Sequence, residues 1–321
     1  MALSPDPALQ RAIKLMDSDR IEDGVLLLRQ VASKGDPEAL FRLADMTWSG
    51  TKVPQDPARG RLLFEYAGAL GHPQANLVVT NLLANGIAGT RNWPAALERL
   101  EAEARVVPER RAMLKLIQAM KLDGEGDPTA AIEPASISEQ PCACVCEQLL
   151  SPAECLYLIQ AAEGLFQPSM VYDAEGRGVP DDIRTSDGAA FGWLIEDPAI
   201  HALNRRIAKA TNSAFEQGEP LQVLRYRPGQ EYRPHFDFLE GVDNPRPWTA
   251  LIYLNDDYEG GETAFVETGL SFRGRAGDLL LFRNEGPDSQ RDPLAKHAGL
   301  PVTSGTKYLA TRWIRERRWI P

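Results

Sequence analysis

Two histidines, one aspartate and one lysine carry the strongest chemical signal in this chain. His235 and Asp237 are two residues apart, and His297 follows after fifty-nine intervening residues. On an extended strand, side chains two apart point to the same side, so His235 and Asp237 can face a common point. A further imidazole would complete a set of two histidines and one carboxylate on one face of a six-coordinate metal. Three positions stay open in that arrangement, which suits Fe(II) and O2 chemistry. The chain has only four histidines. His72 falls in a helical stretch and His201 follows a helix start at Pro198, which leaves His297 as the third ligand. Lys307 comes ten positions later. A lysine buried without a partner is costly, so the expected partner is the carboxylate of an acid bound beside the metal.

The elements that must hold these residues read as short strands. Candidates are Leu221–Tyr226, Thr249–Asn255, Thr263–Glu267, Asp278–Phe282 and Tyr308–Arg315, bounded by Gly, Pro and Asp, with helices at Pro152–Glu163 and Pro198–Phe215. Many short strands with such turn residues favour a jelly-roll barrel. Period two on the last strand puts Lys307, Leu309, Thr311 and Trp313 on one face, and Tyr308, Ala310, Arg312 and Ile314 on the other. A cation, a hydroxyl and an indole make an odd core face but a suitable wall for a polar acid. Tyr226, nine residues before His235, can offer that acid a hydroxyl.

Residues 1–121 are different. They lack strand alternation and repeat with a period of 36: Gly35-Asp36-Pro37-Glu38-Ala39 returns as Gly71-His72-Pro73-Gln74-Ala75, Gly50 maps to Gly86 and Asp56 to Asn92. A fixed period of this size is the mark of a helical-hairpin solenoid. Residues 122–141, with Gly124, Gly126, Pro128, Pro134 and Pro141, read as a linker or wrap-around loop, and 142–321 as the strand-rich domain. The expected fold is therefore multidomain α + β: an N-terminal helical repeat array followed by a barrel domain with flanking helices.

Several motifs resemble a known family. The run Tyr226-Arg-Pro-Gly229-Gln-Glu-Tyr232-Arg-Pro-His235-Phe-Asp237 is similar to the metal-binding strand of the prolyl 4-hydroxylases, within the 2-oxoglutarate/Fe(II) dioxygenases. Tyr253-Leu-Asn-Asp256 leading to Gly260-Gly261-Glu262-Thr263, His297-Ala-Gly299-Leu-Pro301-Val302 and Gly305-Thr-Lys307 continue the likeness. Leu150-Ser-Pro-Ala-Glu154-Cys155 resembles that domain's opening helix, and Arg184-Thr185-Ser186 its mobile-loop motif. The resemblance covers about 142–321.

It implies a double-stranded β-helix, with Fe(II) on His235, Asp237 and His297 and no catalytic residue beyond that centre. It implies 2-oxoglutarate and O2 as co-substrates, and ascorbate as reductant. The far carboxylate of 2-oxoglutarate would sit on Lys307, with Tyr226, Thr263 and Thr311 as hydrogen-bonding neighbours. Arg246, Trp313, Arg184 and Tyr232 are the implied contacts to a proline-containing peptide or protein, and Arg184 to Gly188 a loop closing over the proline. The implied reaction is hydroxylation of peptidyl proline at C4, with release of succinate and CO2. Another side chain, a free amino acid or a small metabolite is the alternative target, and a scaffold with an iron- or oxygen-sensing domain the alternative role. The helical period resembles Sel1-like repeats, relatives of the tetratricopeptide repeat, which would either bind the target or pack on the catalytic domain. Phe265-Val266-Glu267 replaces the family's usual Phe-Pro, a departure that bears on target choice and not on the metal.

Composition narrows the partners. With 35 basic and 45 acidic residues the net charge is −10, the wrong sign for displacing counterions from nucleic acid. The basic run Arg312, Arg315, Arg317 and Arg318 reads as a solvated face of the last strand. No stretch reaches membrane-span length, and the first ten residues lack a secretory layout. Of four cysteines, Cys142, Cys144 and Cys146 alternate on one stretch. They read as small buried strand residues, with soft-metal binding or oxidant sensing as the alternative. A reduced, cytoplasmic protein is expected.

Overall fold

The computed structural model describes residues 6–169, 171–172, 178–179 and 183–319. The chain forms two compact units: residues 1–112 with 193–198, and residues 113–192 with 199–320.

The first unit is built from helices Pro7–Asp17, Ile21–Ser33, Pro37–Ser49, Pro57–Ala69, Pro73–Asn85 and Trp93–Glu103. The 36-residue period appears as repeated caps. Side chains of Asp36, Asp56, His72 and Asn92 each accept from the backbone N–H three residues on, at 2.8, 3.0, 3.1 and 3.1 Å. Proline follows each cap within the first turn, where its missing N–H costs nothing. Such caps are worth about 1 kcal/mol apiece. Gly50 and Gly86 close their helices at φ 77° and 72°, a left-handed conformation that a side chain would strain. His72 serves here as a cap, and its Nε2 reaches Glu38 of the preceding repeat at 2.9 Å.

The second unit is a jelly roll. An eight-stranded sheet contains Cys142–Cys146, Leu279–Arg283, Trp248–Tyr253, Lys307–Ile314, Gln222–Tyr226 and Asp187–Ala190 as successive neighbours. A four-stranded sheet runs Ser271–Phe272, Thr263–Phe265, His297–Gly299, Tyr232–His235. Alternation sorts side chains between two cores. Leu251, Tyr253, Leu280, Phe282 and Leu309 join Phe265 of the small sheet in the barrel interior. Their neighbours Ala250, Ile252, Leu279, Leu281 and Ala310 pack outward with Leu158, Leu203 and Ile207 of helices Pro152–Ala162 and Pro198–Ala210. The first of these helices opens with a reciprocal cap between Ser151 and Glu154, and Arg206 then grips Glu154 at 2.8 Å.

Four expectations need correction. The stretch 122–141 is built into the second unit, because strand Ala135–Glu139 pairs antiparallel with Cys142–Cys146. Arg184 to Gly188 is not a free loop: Thr185 and Arg233 exchange backbone bonds with Glu231 and Ile183, and Asp187–Ala190 pairs with Gln222–Tyr226. The C-terminal arginines are not one solvated face. Arg312 is 0% exposed and donates to the carbonyls of Asn204, Phe215 and Glu219, while Arg315 is buried against the Glu219 carboxylate at 2.6 Å. Cys142, Cys144 and Cys146 are half-buried and unpaired, on the strand face opposite Ala143, which enters the barrel core. Burial pushes the Cys144 and Cys146 thiols up, Cys142 adding to the first and Asp278 to the second. A raised thiol pKa lowers the reactive thiolate fraction at Cys144 and Cys146.

Candidate metal centre and its cavity

His235 ends its strand directly opposite His297, whose other neighbour is Phe265. Asp237 lies two residues past His235, where the chain has left the sheet. One ligand atom from each of the three lies within 4.8 Å of the others, and among the described residues this is the one such cluster of His, Cys, Asp and Glu. The Nε2 atoms of His235 and His297 stand 3.7 and 3.6 Å from the two Asp237 oxygens.

The rest of each side chain is spoken for. His235 Nδ1 lies 2.8 Å from the Arg233 carbonyl and His297 Nδ1 3.0 Å from the Ala295 carbonyl. A carbonyl only accepts, so both rings carry their proton on Nδ1 and turn an Nε2 lone pair to the centre. Burial, reinforced by His297, pushes the His235 pKa down to about 3, so its ring is neutral at physiological pH. Burial works against the Asp237 carboxylate. His297, His235, the Thr249 hydroxyl and Arg246 outweigh it and hold the pKa below the ordinary value. Thr249 donates to Asp237 Oδ2 at 2.7 Å and receives a hydrogen bond from Asn284 at 2.9 Å. Nothing in the sequence singled out Thr249 or Asn284 as site residues, since both act through Asp237 and not on the centre itself.

The same cavity, of about 30 Å³, is lined by Tyr226, Thr263, Lys307, Thr311, Trp313, Arg184 and Tyr232. Leu309 lines it too, so Lys307, Leu309, Thr311 and Trp313 share the inward face of the last strand. Lys307 pairs in register with Tyr226, is 2% exposed, and donates to the Gly261 carbonyl at 2.7 Å. Burial pushes its pKa down to about 7, with Glu262 acting to raise it. Gly261 must be glycine: its φ is +69°, and a Cβ would come within 3.2 Å of the Lys307 chain and the Tyr258 ring. Thr263 is held by the Tyr253 hydroxyl at 2.8 Å. Thr311 Oγ1, Trp313 Nε1 and Arg184 Nε are buried without a hydrogen-bond partner. Buried polar atoms rarely stay so, and one cation with three unsatisfied donors in a cavity fits an anionic ligand.

Arg246 lies in the neighbouring cleft with Arg184, Tyr232 and Trp313. Its guanidinium binds Glu219 through two bonds of 2.6 and 2.8 Å and lies 4.0 Å from the Trp313 ring centroid. Tyr232 stacks on His235 with ring centroids 3.4 Å apart, and Arg184 covers Tyr232.

Comparison with known proteins agrees with this geometry. Residues 221–315 match the 2OG-Fe(II) oxygenase superfamily. Prolyl 4-hydroxylase 1 of Arabidopsis thaliana is 38% identical over 206 residues, which span 58% of this chain and 73% of the relative. The chain belongs to the prolyl 4-hydroxylase family of 2-oxoglutarate/Fe(II) dioxygenases. Probable prolyl 4-hydroxylase 3 of the same plant is 37% identical, covering 56% of this chain and 70% of that one. Among solved structures, the 2OG complex of a viral collagen prolyl hydroxylase from Paramecium bursaria Chlorella virus-1 is 30% identical, with a TM-score of 0.44. It covers 54% of this chain and 95% of that one. As a family member the chain is an oxidoreductase that uses Fe(II), 2-oxoglutarate and O2.

Proposed function

We propose that this enzyme hydroxylates C4 of proline in a peptide or protein, with Fe(II) held by His235, Asp237 and His297. The iron, when bound, supplies the O2 chemistry that couples C–H hydroxylation to conversion of 2-oxoglutarate into succinate and CO2. The chain's own residues bind, orient and shield. Lys307 would pair with the far carboxylate of 2-oxoglutarate, with Thr311 and Tyr226 donating beside it and Thr263 closing the wall. Arg184, Tyr232, Arg246 and Trp313 would form the peptide's seat, where stacked aromatic faces suit a proline ring. The observation that carries the reading is the joining, in one cavity, of a three-ligand cluster to a buried lysine and the unpartnered Thr311 hydroxyl.

The finer parts of the proposal rest on separate supports. Ascorbate as the agent that keeps iron reduced follows from the family resemblance. The helical hairpins are read as Sel1-like repeats on their 36-residue period and recurring caps. A cytoplasmic setting fits four unpaired thiols. Incubating the enzyme with Fe(II), ascorbate, 2-oxoglutarate and proline-containing peptides tests the reaction. Mass spectrometry should find one added oxygen on proline and one succinate per oxygen added. Succinate formed with no oxidised peptide across a broad proline-peptide library would overturn the proposed target.

A further inference from the structure

Helix Pro73–Asn85 places Asn81 and Asn85 one turn apart, on one face. Both are buried, at 5% and 4% exposure. Their equivalents one repeat earlier, Asp45 and Ser49, are exposed. The covering element is Trp193–Pro198, a short excursion that the first unit takes in from the later part of the chain. Asn85 Nδ2 donates to the Trp193 carbonyl at 2.9 Å, and Asn81 Nδ2 donates to the Leu194 carbonyl at 2.9 Å.

The orientation of both carboxamides is fixed by the array itself. Asn81 Oδ1 accepts from Arg110 Nη1 at 3.0 Å, and Arg110 is held in turn by Glu103 at 3.3 Å. Asn85 Oδ1 accepts from the Ile87 backbone N–H at 3.0 Å. With each oxygen engaged on the array side, each NH2 can only turn outward. Two donors then stand ready for the carbonyls of an irregular segment, whose turn leaves those carbonyls outside any helix or sheet. Backbone carbonyls drawn away from water are rarely left without such donors. Glu196, at 0% exposure, is carried in with them.

We propose that Asn81 and Asn85 form a carbonyl clasp whose resident ligand is the chain's own Trp193–Pro198 segment. The face of the array that a captured target would need at this repeat is thus already filled in cis. The array thus holds Trp193–Pro198 as part of its own compact unit. Asp and Ser at the equivalent positions of the preceding repeat supply no such pair of amide donors, so the clasp belongs to this repeat.

The full-length double variant Asn81→Asp, Asn85→Asp tests the clasp. Aspartate keeps the oxygen that Arg110 and the Ile87 N–H require, and turns each outward donor into a charged acceptor that repels the carbonyl it faces. Limited digestion with a glutamate-specific protease should cut after Glu196 roughly tenfold faster than in the parent, as expected for loss of two hydrogen bonds. Cleavage after Glu103, inside the array, should stay at the parental rate. This readout is independent of hydroxylation, so it stands or falls apart from the proposed reaction. An unchanged rate after Glu196 overturns the clasp. Equal acceleration after Glu196 and Glu103 overturns it too, because the carboxamides would then serve the array as a whole.

Discussion

The cavity has two regions with opposite polar accounting. On the three ligand side chains, each polar atom not turned to the centre is bonded to protein: the two Nδ1 atoms to carbonyls, and Asp237 to Thr249, which Asn284 holds in turn. Around Lys307 and Trp313, donors end in the cavity, with Thr311 Oγ1, Trp313 Nε1 and Arg184 Nε unsatisfied. The first region is organised before any ligand arrives. The second is organised for one. The difference separates what the protein must hold rigidly, a metal, from what must enter and leave in each turnover, a co-substrate and a target.

The largest expected effect lies in the first region. His235→Ala, Asp237→Ala or His297→Ala should lower turnover by roughly a thousandfold or more, since two ligands no longer fix the open positions of the metal. Fe(II) titration should show weakened binding, with circular dichroism unchanged. Parental succinate production by any one variant would remove that residue from the ligand set.

Lys307→Ala comes next and belongs to the second region. Truncating one member of a buried charge pair costs about 2–5 kcal/mol, so the 2-oxoglutarate requirement should rise roughly 30- to several-thousandfold. Lys307→Arg should recover part of this, because a planar fork replaces a compact ammonium. Fe(II) affinity measured without co-substrate should hardly move. If it falls as far as in the histidine variants, the two regions are one coupled unit and the contrast fails.

Thr249→Val probes the support behind Asp237. Partners behind a metal ligand are typically worth 10–100-fold in metal affinity, so Fe(II) binding should weaken by about that factor. At saturating iron the 2-oxoglutarate requirement should be near parental. A variant with unchanged Fe(II) affinity would show that Asp237 is aimed by its backbone alone.

What sequence made legible follows a physical line. Local periodicity exposed the inward face of Lys307–Ile314 and the recurrence of Gly35–Ala39 at Gly71–Ala75, because neighbours in sequence dictate both. The metal cluster was legible because its chemistry demands scarce residue types. Partners set by distant backbone were not. Arg312 and Arg315 read as solvated because the Glu219 and Asn204 groups that receive them lie about a hundred residues away in the chain. Arg184 to Gly188 reads as a loop from the family resemblance alone, because its partner strand Gln222–Tyr226 lies some forty residues further on. The inclusion of Trp193–Pro198 in the first unit left no trace in composition.

The pH response sharpens the second region further. The Lys307 pKa in the free protein, about 7, lies below the usual lysine value because burial disfavours the charge. The ammonium is therefore lost as pH rises through 7, and 2-oxoglutarate needs it. Between pH 6 and pH 8 the protonated fraction falls about tenfold, so co-substrate affinity should weaken by about that factor. Lys307→Arg should flatten the profile. A parental enzyme with a flat profile would place the anchoring charge elsewhere.

The smallest effect is expected at the seat for the target. Arg246 is bound twice by Glu219 and sits over the Trp313 ring, so it makes two separable contacts. Arg246→Lys keeps the charge beside Glu219 and gives up the guanidinium over the ring. Such a contact is worth about 0.5–1 kcal/mol near a surface, which predicts a two- to fivefold rise in peptide KM. Decarboxylation of 2-oxoglutarate without peptide should be unchanged, because the residue lies outside the cavity that holds Lys307. A matching fall in that uncoupled rate would mean Arg246 acts through Asp237, whose charge it helps to stabilise. It would then belong with the metal region and not with the target.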